Sequence, residues 1–366
     1  MKVVIAIDSF KGCLTSNEAN QAATEGVSSI HPTAEVVQVP VSDGGEGFME
    51  AFHAAIGGEL VELTVRDPLM RPVSAKYLLH DKLAVIEIAQ ASGLPLLTKE
   101  ERNPMVATSY GTGQLVADAV RRGADHIIVG LGGSATSDAG IGMLHALIES
   151  LPPAPSHRGV VHRWDDVKGI EDVRFTIASD VKNPLCGEYG AAHVFAPQKG
   201  ATPDMVRQLD ERARKFAEVS ARHFGYDRSE LEGAGAAGGL GYAFLQYMNA
   251  DCKPGIELLL DTIRFQEIVK DADLVITGEG SADCQTLMGK LPMGILQQSG
   301  DVPVCLIAGR ISDKEELLKA GFAHVECINP DGITLEEAMR KEVACQNISD
   351  TIRRLTNDVG ELVLQP

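Results

Sequence analysis

The chain has 366 residues, 44% hydrophobic and 23% charged, which is enough apolar material for two packed cores rather than one small domain. Acidic residues outnumber basic ones 51 to 33, the formal charge is −18, and no run of Lys or Arg stands out, so nucleic acid and anionic membranes are not expected partners. The seven Cys are scattered and contain no Cys-x-x-Cys pair, which points to reduced thiols in a cytoplasmic setting rather than a disulfide framework or a zinc site.

The opening Met-Lys-Val-Val-Ile-Ala-Ile-Asp reaches a charge too soon for a secretory segment, and no apolar run approaches the ~18 residues of a membrane span. Strand-like Val3 to Ile7, a helix pattern from about Ser16 to Ser29, strand-like Val36 to Val39 and a second helix pattern from about Gly47 to Ile56 read as β-α-β-α, the start of an open parallel sheet. Ser16 is the expected N-cap of the first helix. From Leu60 to Ala89 the runs ELVELTV, VSAKYLL and LAVIEIA, separated by Asp-Pro and His-Asp turns, predict an antiparallel meander.

Alternating α and β signals then return. His126 to Leu131 and Arg174 to Ala178 read as buried strands, Met205 to His223 as the longest helix, and Leu151 to Ser156, with three prolines, as a loop. Strand patterns at Asp273 to Thr277, Val302 to Ala308 and His324 to Ile328 match the texture of the N-terminal segment. These patterns predict one α/β domain built from residues 1–57 and 258–366, a second α/β domain inserted at 58–257, and a cleft between them.

Five strand-to-helix loops carry the candidate chemistry, because in open α/β sheets the loops at the carboxyl ends of the strands line the ligand crevice. In the first, Asp8-Ser9-Phe10-Lys11-Gly12, Lys11 suits a carboxylate or phosphate beside a helix N-terminus; a solvated loop lysine fits the same pattern. In the second, Ser42 to Gly47, Asp43 and Glu46 among flexible glycines suit magnesium, or an acidic helix start. The third, Gly130 to Gly140, is the strongest phosphate cradle: glycines expose backbone N–H groups, Ser134 and Thr136 add hydroxyls, and Asp138 offers a metal ligand.

The fourth loop, Ala178 to Leu185, presents Asp180 as a metal ligand or a base for a hydroxyl, or else an Asx-turn before Pro184. The fifth, Thr277 to Asp283, repeats the pattern of glycines and carboxylates with Glu279 and Asp283, followed by Lys290, and a capped helix start is its plain alternative. Gly233 to Gly238 matches Gly-x-Gly-x-x-Gly, but polar Arg228 to Glu232 stands where a dinucleotide fold needs an apolar strand, so close packing or a substrate-facing loop is favoured. Neither a Walker A loop nor the His-Arg-Asp and Asp-Phe-Gly kinase pair is present.

These strings together resemble the type I glycerate kinase family, the bacterial kinases of D-glycerate. The matching stretches are IDSFKGCLTSNEA near the start, SDGGEG at 42–47, ATSYGTGQL at 107–115, GLGGSATSDAGIGML at 130–144, ASDVKNPLCG at 178–187, FAPQKGA at 195–201, GAGAAGGLG at 233–241, PGIELLLD at 254–261 and DLVITGEGSADCQTLMGKLPMG at 273–294. They follow the family's order.

The resemblance implies a flavodoxin-like domain carrying an inserted α/β domain, and phosphoryl transfer from ATP to glycerate with Mg²⁺, giving 2-phosphoglycerate. Ser42 stands where family members usually have Ala, Ser137 where Asn is usual, and GEGSADCQ lacks a bulkier pair that often precedes the Asp. Asp43, Asp138, Glu279 and Asp283 are retained.

On this reading Gly132, Gly133, Ser134 and Thr136 hold nucleotide phosphates, and Asp43, Asp138 and Glu279 hold Mg²⁺. Asp8, Ser9 and Lys11 bind substrate, Lys11 and Lys290 neutralise the transferred group or the glycerate carboxylate, and Asp180 or Asp283 accepts the hydroxyl proton. A nucleotide-dependent dehydrogenase and a non-catalytic organic-acid sensor are the competing readings. The product position, the range of hydroxy acids and the oligomeric state, a homodimer included, stay open.

Overall fold

The computed structural model describes residues 1–42, 45, 47–151, 164–288 and 290–363. The candidate metal ligand Asp43 and most of the expected proline-rich loop lie outside the described residues. Among the described residues eleven strands run in chain order: β1 Lys2–Ile7, β2 Glu35–Gln38, β3 Glu59–Arg66, β4 Pro72–His80, β5 Leu83–Glu87, β6 His126–Gly130, β7 Arg174–Ala178, β8 Asp251–Lys253, β9 Leu274–Ala282, β10 Val304–Ile311 and β11 His324–Cys327. The chain divides into two compact units, Met1–Asp43 with Ile256–Pro366, and Gly44–Gly255.

The first unit contains a five-stranded sheet in the order β11-β10-β9-β1-β2, with every neighbour pair parallel. Counted within the unit this is 2-1-3-4-5, the flavodoxin order, whose direction reverses at the border of β1 and β9. Apolar runs such as Val3 to Ile7 form these strands because helices cover both faces of a parallel sheet. The helix Ser16–Ile30 packs on the helix Lys341–Val363. Its N-cap is Thr15, not Ser16: Thr15 and Glu18 close a capping box. Ser16 instead ties two loop ends together, donating to the Ile7 carbonyl at 2.6 Å and accepting from the Val41 N–H at 3.0 Å.

The second unit contains a six-stranded sheet in sequential order β3 to β8. β3, β4 and β5 pair antiparallel, as the alternating patterns predict, and β5 to β8 pair parallel. The helix Phe48–Ile56, read from sequence with the N-terminal strands, packs on β4 and β5, and its first N–H donates to Glu87 Oε1 at 3.0 Å. The longest helix of this unit runs Pro203–Phe224, started by a Thr202 cap with Pro203 behind it and stopped by Gly225 in the left-handed region.

Candidate active site

The reversal point of the first sheet is where open α/β folds leave a crevice, since neighbouring connections there depart to opposite faces. Here a cavity of about 470 Å³ occupies it. Parallel register pairs Ile7 with Gly278, so Asp8 and Glu279 follow side by side, each only 8% exposed and both lining the cavity. Ser9, Lys11 and Lys290 line it too. Five residues singled out in the sequence, from two segments some 270 positions apart, therefore meet in one space.

Glu279 is held rather than loose. Its Oε1 accepts from Thr286 Oγ1 at 2.6 Å, and its Oε2 lies 4.0 Å from Lys290 Nζ. Thr286 Oγ1 also accepts the Asp283 N–H at 3.1 Å, while Asp283 Oδ1 accepts the Gln285 N–H at 2.8 Å. Asp283 thus organises the turn that presents Thr286 to Glu279, and it stands outside the residues lining the cavity. The sequence pattern treats Gly278 to Ala282 as loop, but this stretch continues β9, paired with β10 out to Ala282. The extension carries Glu279 and Ser281 on a rigid strand.

The remaining candidates among the described residues, Gly132, Gly133, Ser134, Thr136, Asp138 and Asp180, lie in the second unit. The stretch Gly130 to Gly140 follows β6 as expected, yet its hydroxyls turn inward: Ser134 and Thr136 are buried and 3.1 Å apart. Several backbone N–H groups are spent internally, Ala135 on the Ser92 carbonyl, Thr136 on Ser134 Oγ and Ala139 on the Gly238 carbonyl. Gly133 is the exposed residue of the turn. Asp138 Oδ2 accepts the Ser109 N–H at 2.8 Å, Ser109 Oγ at 2.9 Å and the Gly142 N–H at 3.1 Å, and Oδ1 accepts the Gly140 N–H at 3.1 Å. These bonds anchor the start of the helix Ile141–Ser150. Asp180 follows β7, where Ser179 Oγ accepts the Val181 N–H at 3.2 Å.

Three residues were missed as site candidates. Lys199, inside the quoted FAPQKGA string, is 3% exposed and donates from Nζ to the Thr136 carbonyl at 2.6 Å and to Ser134 Oγ at 3.4 Å. Burial pushes its ammonium pKa down to about 7, against the opposing pull of Asp138. Arg310, at the carboxyl end of β10, lines the first unit's cavity, and Thr286 holds Glu279. A glycine-flanked lysine after a proline was the available signal for Lys199; nothing local marks Arg310.

The Gly233 to Gly238 motif has no strand before it and serves close packing. A Cβ on Gly238 would stand 2.0 Å from the Thr136 carbonyl oxygen.

Among the described residues no cluster of three or more His, Cys, Asp or Glu is placed to hold a metal by itself, and no helix is long and apolar enough to cross a membrane. Asp8 and Glu279 on one wall suit Mg²⁺, which takes one or two carboxylates and completes its shell from phosphates and water.

Fold and site define the class: a two-unit α/β protein whose flavodoxin-order sheet ends in a cavity lined by cations and carboxylates. A profile of the glycerate kinase family matches residues 3–360, and the chain belongs to that family. It is 42% identical to a glycerate kinase of Bacillus subtilis strain 168, with 98% of each chain covered. It is 40% identical to a glycerate 2-kinase of Escherichia coli K12, with 93% of each covered. The crystal structure of a glycerate kinase 2 from Salmonella typhimurium LT2 is similar at a TM-score of 0.83 and 38% identity over 99% of both chains.

Proposed function

We propose that this protein is a cytoplasmic, ATP-dependent kinase of D-glycerate, and that the 2-hydroxyl is the acceptor. The observation that carries the reading is the meeting of Lys11 and Lys290 with Asp8 and Glu279 in the switch-point cavity, in a chain of this family. The glycerate hydroxyl oxygen forms the new bond to the γ-phosphorus as the bond to the β,γ-bridging oxygen breaks, so ADP leaves and the hydroxyl proton passes to a carboxylate. Lys11 and Lys290 neutralise the phosphoryl oxygens, and Asp8 with Ser9 orients the acid. Glu279, fixed by Thr286, and Asp8 would hold Mg²⁺, which would offset the negative charge of the phosphates. Asp180 and Asp283 are the two proposed candidates for that carboxylate, and Asp283 would act only if its turn moves it toward the cavity it stands beside.

In the second unit, Lys199 holds the Gly132 to Thr136 turn through Thr136 and Ser134, Asp138 anchors the helix that follows, and Gly132 and Gly133 are proposed as an anion-binding turn of that unit. The dehydrogenase reading has lost its motif to packing. ADP release measured over a panel of small hydroxy acids, with NMR of the phosphorylated product, tests the proposal: release with glycerate and a phosphorus coupled to the C2 proton are expected. No release with any acid in the panel would refute it.

A further inference from the structure

The switch-point cavity has more room than a three-carbon acid fills. At about 470 Å³ it falls in the roughly 300–1,000 Å³ range occupied by drug-sized ligands. It also contains two chemistries. Lys11, Lys290 and Arg310 supply cationic donors, whereas Ile328, Leu335 and Met339 supply an apolar wall. A small hydrophilic acid has no use for that wall.

The wall is unusual in being left open. Leu335 is 79% exposed and Met339 40% exposed, although both sit at a cavity whose deeper apolar members, Phe10 and Ile328, are buried. Leu335 begins a single helical turn, Leu335–Ala338, capped by Thr334 Oγ1, which accepts the Glu337 N–H at 3.2 Å, so its backbone is fixed in place without a partner for its side chain. The floor beneath is bare backbone: a Cβ on Gly309 would stand 2.8 Å from the Gly280 carbonyl oxygen and 3.6 Å from Phe10 Cε1. Asn329 beside it is already committed, donating to the Gly309 carbonyl at 2.7 Å and accepting from Asn347 at 3.1 Å. A ligand in this space meets flat apolar surface, exposed backbone and, in the same cavity, three cations.

We infer that this cavity seats the nucleoside triphosphate itself, with the purine covering Leu335 and Met339 and the phosphates reaching Lys11, Lys290 and Arg310. A purine is a flat, largely apolar body that gains by covering such side chains, and an arginine fork matches phosphate oxygens bidentately. The inference rests on the kinase reading above and deepens it, because it assigns the base, and not only the transferred phosphoryl group, to the first unit.

The test compares ATP with inorganic tripolyphosphate, which has the charge but not the base. Calorimetric affinities and steady-state constants are measured for the wild type, for Leu335→Ala, whose exposed side chain the fold does not need, and for Leu335→Ala/Met339→Ala. The double variant is expected to lose about tenfold in ATP affinity, from the apolar contact removed, with a matching rise in KM for ATP and with KM for glycerate and tripolyphosphate affinity held. Unchanged ATP affinity in the double variant, or a rise in KM for glycerate in place of ATP, overturns the inference. If the wild type releases no ADP with glycerate but binds ATP, and the double variant loses that binding, the acid assignment fails while the nucleotide seat stands. A wild type that binds tripolyphosphate but not ATP at millimolar concentration overturns the seat.

Discussion

Lys199 Nζ donates a 2.6 Å hydrogen bond to the carbonyl oxygen of Thr136 from a side chain that is 3% exposed. A buried ammonium loses its hydration, and two hydrogen bonds to neutral oxygens replace only part of it. Its pKa accordingly falls from 10.5 to about 7. The sign of the consequence follows from proton counting. Between pH 7 and 10.5 the unfolded chain carries the proton and the folded one does not, so stability rises with pH across that window and is flat, with the full cost present, below it. Chemical denaturation should show a gain on the order of 2 kcal/mol between pH 7 and 9 attributable to this group. In Lys199→Met that increment should vanish. Parallel pH curves for the two proteins would show that Lys199 titrates normally in the fold.

Glu279 is the proposed metal ligand whose side chain the fold holds most firmly. It is 8% exposed, bound to Thr286 at 2.6 Å and near Lys290, on a strand paired at both edges. Glu279→Gln keeps the shape and the bond from Thr286 while removing the charge. Turnover is expected to fall about 10²-fold or more, with a raised requirement for Mg²⁺, because charge stabilisation of this kind is worth several kcal/mol in a desolvated site. The midpoint of thermal unfolding should move by only a few degrees. A variant with normal turnover and an unaltered Mg²⁺ titration would remove Glu279 from the metal.

Asp283 separates a base from a turn-former. Its Oδ1 holds the Gln285 N–H, a bond that Asn can also make, so Asp283→Asn preserves the turn and abolishes only the proton-accepting capacity. A loss of about 10²-fold in turnover is expected for the base. Near-normal turnover would pass the role to Asp180, and Asp180→Asn is the paired measurement.

The parts legible in the sequence were those encoded locally. The apolar runs of β1, β6 and β7 give buried parallel strands directly, and the alternation in β3 and β4 gives a sheet with one solvent face. Glycine and carboxylate loops following strands mark Asp8, Lys11 and Glu279 because strand ends gather in space. What was not legible depends on partners. The apolar stripe of Phe48–Ile56 says that one side is buried without saying against which sheet, and Thr15 competes with Ser16 for the cap until the Glu18 contact is seen. The hydroxyls of Ser134 and Thr136 look available for phosphate in sequence, and only the distant Lys199 and Gly238 show that they face inward. Arg310 joins the cavity through sheet order alone.

Gly238 shows how close that packing is. Its φ of +68° lies in the left-handed region, and a Cβ there would approach the Thr136 carbonyl oxygen to 2.0 Å and Ser137 Cα to 2.6 Å. Neither contact is with the end of a flexible side chain, so relief requires backbone movement of the very turn that Lys199 holds from the other end. Gly238→Ala therefore combines a conformational penalty of about 1 kcal/mol with a steric one, and a total destabilisation of roughly 3 kcal/mol or more is expected. Urea denaturation measures it directly. Because the shifted atoms include the Thr136 carbonyl, Gly238→Ala should also weaken the coupling between Lys199 and the turn. A weaker bond leaves the buried ammonium less compensated, so the pH-dependent gain in stability described for the wild type should grow in this variant, whereas an Ala substitution at Gly225, which has positive φ but nothing within 4 Å of its Cβ, should leave that gain unchanged.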